Sequence, residues 1–136
     1  MIEEFREHWE DGKSEIREKY EESHPSSYTE IVADVVTAIA KRVDYFPPNP
    51  EKIYQIDDGD YQGTLVFVIP EDRYQPRDYY YVRVAYGSCS GCDTLLSIRR
   101  SFHDEEAPDE DQTDAYMRLA LHVFQSLKKM DPESYV

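Results

Sequence analysis

Two cysteines are the residues of this 136-residue chain whose spacing most directly suggests chemistry. Cys89 and Cys92 are three positions apart in the segment GSCSGCD. A Cys-x2-Cys pair supplies two thiolates at the spacing of a tetrahedral zinc site. The same pair at the start of a helix is typical of a redox site, because the helix dipole lowers a thiol pKa. In a third interpretation, the two thiols are small, weakly polar side chains that pack within a tight loop.

The surrounding sequence favours the packed loop over zinc or redox chemistry. A structural zinc site needs four ligands, and the nearest further candidates are His103 and His122. His122 adjoins the apolar stripe of a predicted helix, where a packed or exposed side chain is the simpler interpretation. A thioredoxin-like site requires a further pair of strands, whereas only a loop and one helix follow. Zinc or thiol chemistry at Cys89 and Cys92 is therefore the alternative hypothesis.

Other catalytic motifs are missing from the sequence. It has no Ser/His/Asp order, no glycine-rich phosphate loop and no H-E-x-x-H segment. The run Asp57-Asp58-Gly59-Asp60 lacks the spacing and terminal Glu of an EF-hand, so it predicts a turn and not a calcium site. We therefore expect a protein without enzymatic activity.

Charge is the strongest signal in the composition. The chain has 29 acidic and 15 basic residues, which gives a formal net charge of −14. Such a surface repels phosphate, so nucleic acid is not expected as a direct partner. It attracts a basic protein surface and accelerates association with it. Solubility alone and adaptation to salt are the alternative explanations. The candidate binding acids form one run: Asp104, Glu105, Glu106, Asp109, Glu110 and Asp111.

The segment before the cysteines supplies candidate anchors for a binding surface. Residues 79–86 alternate at period two and are rich in strand-forming types, with Tyr80, Val82, Val84 and Tyr86 on the predicted core face. Tyr and Arg are frequent in interface hot spots. The candidate anchors on the opposite face are Tyr79, Tyr81 and Arg83. If helices cover both faces of the sheet, these rings belong instead to a two-sided core.

Amphipathic patterns predict helices at both ends of the chain. The first spans 2–22, with Gly12 as a weak point where the helix kinks or divides. A capping box at Ser27–Glu30 begins a second helix, which is apolar over most of its circumference. A third helix is predicted from about Gln112 to Met130, with Asp111 as its N-cap.

A proline run at 47–50 separates the first two helices from three predicted strands. These strands span 52–57, 62–70 and the segment from Tyr79, and the short loops between them permit only antiparallel pairing. We predict an α+β fold, with a three- to four-stranded antiparallel sheet packed against N-terminal helices and a C-terminal helix. The length predicts a single domain, 1–136, with a helical part at 1–46, strands and cysteine loop at 52–98, and the last helix at 109–131.

Targeting signals are not apparent in the sequence. No apolar run reaches membrane-spanning length, and the first ten residues, MIEEFREHWE, are acidic where a secretory signal is basic and then apolar. We expect a cytoplasmic protein with no membrane partner.

The run GSCSGCDTL at Gly87–Leu95, with GDYQGTLVF at Gly59–Phe67, resembles a group of small uncharacterised proteins of phages and bacteria. The resemblance covers about residues 55–98 and is most specific in the cysteine loop. It implies a phage or bacterial, cytoplasmic origin and no assigned activity. Together with the charge, it suggests a phage-encoded inhibitor that occupies a basic surface on a host protein, such as a nucleic-acid-binding or defence protein.

Overall fold

The computed structural model describes residues 5–41, 46–57, 64–85, 95, 98 and 107–129. Within these ranges the strands form one antiparallel sheet in the order β1-β2-β3-β4. The predicted α+β class is confirmed. In chain order the elements are α1 (Arg6–Glu22), α2 (Tyr28–Ala40), β1 (Tyr54–Asp57), β2 (Thr64–Pro70), β3 (Tyr79–Ala85), α3 (Glu110–Ser126) and β4 (Lys128–Lys129).

Helix α1 is continuous through its predicted weak point. Gly12 lies inside the helix and is buried. Glycine has no side chain, so other parts of the chain can pack closely against the helix at this position. The burial of Trp9, Ile16 and Tyr20 on the same helix offsets the low helix propensity of glycine. Tertiary packing therefore keeps intact a helix that local propensity would weaken.

Helix α2 begins as the capping box predicts. The Ser27 hydroxyl accepts a hydrogen bond from the Glu30 N–H at 3.2 Å. The Glu30 carboxylate accepts from the Ser26 N–H, whereas in a complete capping box it would accept from the N–H of Ser27 itself. The helix is buried over most of its circumference, as expected, through Tyr28, Ile31, Val32, Val35, Val36, Ala38 and Ile39.

The sheet has one face in the core. Leu65, Phe67 and Ile69 of β2 are buried, and their register partners Val84, Val82 and Tyr80 on β3 are buried with them. This agrees with the predicted core face of β3; Tyr86 lies outside the described residues. Helices pack on this face: α3 contacts β3, and the Phe5 ring lies 5.8 Å from the Tyr80 ring.

Helix α3 differs from its prediction at both ends. Its N-cap is Asp109 and not Asp111: the Asp109 carboxylate accepts from the Gln112 N–H at 2.7 Å, and the Gln112 side chain accepts from the Asp109 N–H at 2.9 Å. This reciprocal capping box satisfies two backbone donors, which a cap at Asp111 would not do. The helix also ends at Ser126, because Leu127 is extended and buried and the chain then enters β4.

Strand β4 completes the sheet with two residues. Lys128 pairs with Tyr81 and Lys129 pairs with Tyr80. The sequence predicted that the last helix continues to Met130, and this is wrong for residues 127–129. Leu127 is extended, and the backbone groups of Lys128 and Lys129 pair with β3 instead of with the helix. No helix among the described residues is long and apolar enough to cross a bilayer.

Candidate functional site

The predicted acidic run is only partly within the described residues. Asp104, Glu105 and Glu106 lie outside them. Asp109 is exposed, but its carboxylate caps α3. Glu110 and Asp111 are exposed in the first turn of that helix, where the positive end of the helix dipole favours acidic side chains.

Contacts between α1 and α3 bring further acids to this end of the helical layer. Arg17 of α1 makes an ion pair with Asp114 of α3 at 2.8 Å and with Glu21 of its own helix at 3.3 Å. The hydrogen bond that Arg17 donates to Asp114 raises the pKa of Arg17; desolvation opposes this effect, and the negative charges of Asp114, Glu21 and Glu110 reinforce it. One guanidinium is thus shared among several carboxylates.

We call the acidic patch the surface that comprises Arg17, the carboxylates of Glu21, Glu110 and Asp114 that act on it, and Asp111, which follows Glu110 in the first turn of α3. Four carboxylates and one guanidinium leave three negative charges in excess. All five side chains are at least partly exposed, so the excess charge faces solvent. The chain presents here a coherent negative surface built from two helices.

The predicted anchors lie on the other side of the sheet. The face opposite the helices has large apolar side chains with substantial exposure: Tyr54 is 60% exposed, Ile56 52% and Tyr79 38%. Register places Tyr81 beside Val68 and Arg83 beside Val66 on this face. We call it the open sheet face, comprising Tyr54, Ile56, Val66, Val68, Tyr79, Tyr81 and Arg83.

Among the described residues, no helix covers the open sheet face, which argues against the two-sided core. The acidic patch belongs to the helical layer, so the sheet lies between it and the open face. The acids and anchors that the sequence suggested are therefore not brought together into one site. The sequence predicted Glu110 and Asp111 from the local acidic run, but it did not connect them with Arg17, Glu21 and Asp114, because α1 and α3 are distant in sequence.

The cysteine hypothesis is not tested by the described residues. Cys89, Cys92 and His103 lie outside them, and His122 is exposed on α3. Within the described ranges, no group of three or more potential metal ligands occurs. Metal analysis and thiol titration of the purified protein test the alternative directly: stoichiometric zinc, or a thiol pKa well below about 8.5, would support it.

Buried polar groups in the helical layer have structural partners. The Tyr20 hydroxyl donates to the Asp34 carboxylate at 2.8 Å, and the other oxygen of that carboxylate accepts from Lys19 at 2.7 Å. Burial, reinforced by the negative charge of Asp34, raises the pKa of Tyr20 well above its ordinary value. The Tyr116 hydroxyl lies 2.6 Å from His24 Nδ1, and its ring meets the Tyr20 ring edge-on. These contacts join α1, α2 and α3.

A buried carboxylate in the sheet region also has a structural role. Glu71 accepts from the Arg77 N–H at 2.9 Å and contacts the Arg73 guanidinium at 3.4 Å. Its own N–H donates to the Asp78 carbonyl. Glu71 therefore shapes the connection from β2 to β3. Among the described residues, every buried side-chain nitrogen or oxygen atom has a hydrogen-bond partner.

Comparison with known proteins did not identify a relative of this chain. No protein-family model, no curated protein and no solved structure matches the chain. The resemblance to small phage and bacterial proteins stays a prediction. The fold and its surfaces define an α+β domain with a helical layer on one face of a four-stranded sheet, an acidic patch on that layer and an aromatic face opposite.

Proposed function

We propose that this protein is a non-catalytic binding protein whose acidic patch contacts a basic surface of another protein. The observation that carries the proposal is the convergence of three carboxylates from α1 and α3, those of Glu21, Glu110 and Asp114, on the single guanidinium of Arg17. Such a surface is complementary to clustered Lys and Arg side chains. The net charge of −14 adds a long-range attraction in the same direction.

The charge also specifies the kind of partner. A Lys- and Arg-rich surface on a folded protein is typical of proteins that bind nucleic-acid phosphates. An acidic protein that occupies this surface competes with the nucleic acid and inhibits its binding. If the origin is the phage or bacterial one that the resemblance implies, this encounter would take place in the cytoplasm of a host cell.

The open sheet face is the candidate second contact. Tyr79 and Tyr81 provide aromatic area, and Arg83 provides a directional donor. Because this face lies across the sheet from the acidic patch, one flat partner surface cannot cover both. We therefore assign the charge-driven contact to the acidic patch and treat the tyrosine face as a separate surface.

The test compares capture of host proteins by two matched variants. Glu110→Gln with Asp111→Asn removes two charges from the acidic patch and leaves the Asp109 cap and the Arg17–Asp114 pair intact. The control removes two charges elsewhere, through Glu7→Gln with Glu51→Gln, both at exposed positions.

Capture from a bacterial lysate is performed at about 0.1 M and about 1 M salt, where the Debye length is about 10 Å and about 3 Å. We expect wild type and control to retain the same nucleic-acid-binding protein at low salt, and the acidic-patch variant to lose it. Duplex DNA should then compete with the wild-type protein for the purified partner. Equal retention by both variants, retention that is insensitive to salt, or direct binding of DNA by this protein would refute the proposal.

A further inference from the structure

A cavity of about 430 Å³ lies between β3 and α3. Strand β4 pairs only with Tyr80 and Tyr81, so the later part of β3 has no strand partner on this side among the described residues. The cavity occupies the space between this part of β3 and the facing side of α3. Its volume is within the range of about 300–1,000 Å³ that is usual for small-molecule sites.

The walls of the cavity combine an apolar surface with basic side chains. Val84 and Ile98 contribute apolar atoms opposite those from α3, namely Ala115, Leu119 and Val123. The basic residues of the lining come from both elements: Arg83, which leaves β3 on the side of the open sheet face at the edge that β4 does not pair, and Arg118 and His122 from α3. Arg118 and His122 are at i,i+4 and therefore share a face of the helix. The Ser126 hydroxyl completes the polar part of the lining.

The two arginines of the cavity have no opposite charge among the described residues. Neither Arg83 nor Arg118 belongs to a described ion pair, in contrast to Arg17 and Arg73. No described carboxylate lines the cavity. In a chain of net charge −14, two arginines thus line one cavity that has no carboxylate among its described lining residues. Such a pair repels unless an anion lies between its members.

We propose that this cavity binds a small organic anion, with an apolar body and a carboxylate or phosphate head. The body would pack against Val84, Leu119 and Val123, and the head would lie between Arg83 and Arg118. A guanidinium forms paired hydrogen bonds with either kind of head. His122 and Ser126 provide further donors at the same wall. This site goes beyond the proposed protein-binding function, because its charge is opposite to that of the acidic patch.

Binding is tested with phenyl phosphate, benzoate, inorganic phosphate and phenol, each followed by NMR titration of the full chain. We expect saturable binding of at least one of the two aromatic anions, with shifts at Leu119 and Val123. Inorganic phosphate lacks the apolar body and phenol lacks the charged head, so both should bind more weakly. The ratio of phenyl phosphate to benzoate affinity identifies the preferred head.

Variants separate the cavity from general charge effects. Arg118→Gln should weaken binding by about 10-fold or more, the usual consequence of losing a hydrogen bond to a charged group. Arg83→Gln is the second variant; both replaced side chains are exposed, so the core should be retained. Arg77→Gln, exposed at the other end of β3, is the matched control and should bind as wild type does. Absence of saturable anion binding, equal affinity for phenol, or equal weakening in the control would overturn the proposal.

Discussion

Replacing Asp34 by alanine should expose the dependence of the helical layer on one hydrogen bond. The Tyr20 side chain is fully buried, and its hydroxyl donates to Asp34 at 2.8 Å. Asp34→Ala removes this acceptor but leaves the hydroxyl in the core. Tyr20→Phe removes the donor instead, and the Asp34 carboxylate then keeps Lys19 as a partner.

The size of the expected destabilisation depends on which buried group loses its hydrogen-bond partner. A buried hydroxyl that loses its acceptor costs about 1–3 kcal/mol. The Lys19–Asp34 pair adds about 0–1 kcal/mol, because the Lys19 side chain is 42% exposed. The higher helix propensity of alanine offsets about 0.6 kcal/mol of this loss in the free energy of unfolding. Asp34→Ala should therefore lower the free energy of unfolding by about 1–3 kcal/mol. In the Tyr20→Phe background the same change should cost close to zero, which gives a coupling energy of about 1–3 kcal/mol.

Urea unfolding of the four proteins in this double-mutant cycle measures the coupling. The single tryptophan, Trp9, is buried and stacked on Phe124 at 5.1 Å, so its fluorescence reports loss of the helical layer. With a urea m-value of about 1–3 kcal/mol/M, Asp34→Ala should lower the midpoint by roughly 1 M. Helix propensity cancels in the cycle. A coupling below about 0.5 kcal/mol would refute the reasoning, since Asp34→Ala would then act independently of the Tyr20 hydroxyl.

Three further predictions concern capping, packing and pH. Asp109→Ala should cost about 1 kcal/mol through loss of the α3 N-cap, whereas Asp111→Ala should change stability little; equal effects in urea unfolding would contradict the cap assignment. Gly12→Ala should destabilise despite a helix-propensity gain of about 1 kcal/mol, because the position is buried; a raised thermal midpoint would show that a methyl group fits there. Above about pH 10 stability should fall by up to about 1.4 kcal/mol per pH unit, since the unfolded chain releases the Tyr20 proton that the folded chain retains. Tyr20→Phe should flatten this dependence, and an unchanged profile would argue against it.

Local patterns were sufficient for much of the fold. The alternation of β3 identified its buried face through Tyr80, Val82 and Val84, because side chains in a strand point to opposite faces. The Ser27 cap was readable because a capping box lies within four residues. Both signals depend on neighbours in sequence.

The end of α3 required tertiary information. Its apolar stripe continues to Leu127, so periodicity alone extends the helix. The extended backbone at Leu127 and the pairing of Lys128 with Tyr81 depend on β3, more than 40 residues earlier, and override local propensity.

The candidate surfaces were the least accessible to prediction from the sequence, for the same reason. The acidic patch depends on the contact of Arg17 with Asp114, and the cavity is lined by residues of β3 and α3, which include Arg83 and Arg118. Each joins residues from separate elements, and no local spacing signals either one. The open sheet face was accessible to prediction because its alternation is local.

The position of α3 and β4 in the chain has a consequence during synthesis. Helix α3 contacts α1, α2 and β3, all of which leave the ribosome before it. Until α3 emerges, Trp9 lacks its Phe124 partner and the buried rings of Tyr20 and Tyr116 cannot meet. We therefore expect the nascent chain to remain incompletely packed, and to offer apolar surface to chaperones, until about residue 126 is free of the exit tunnel.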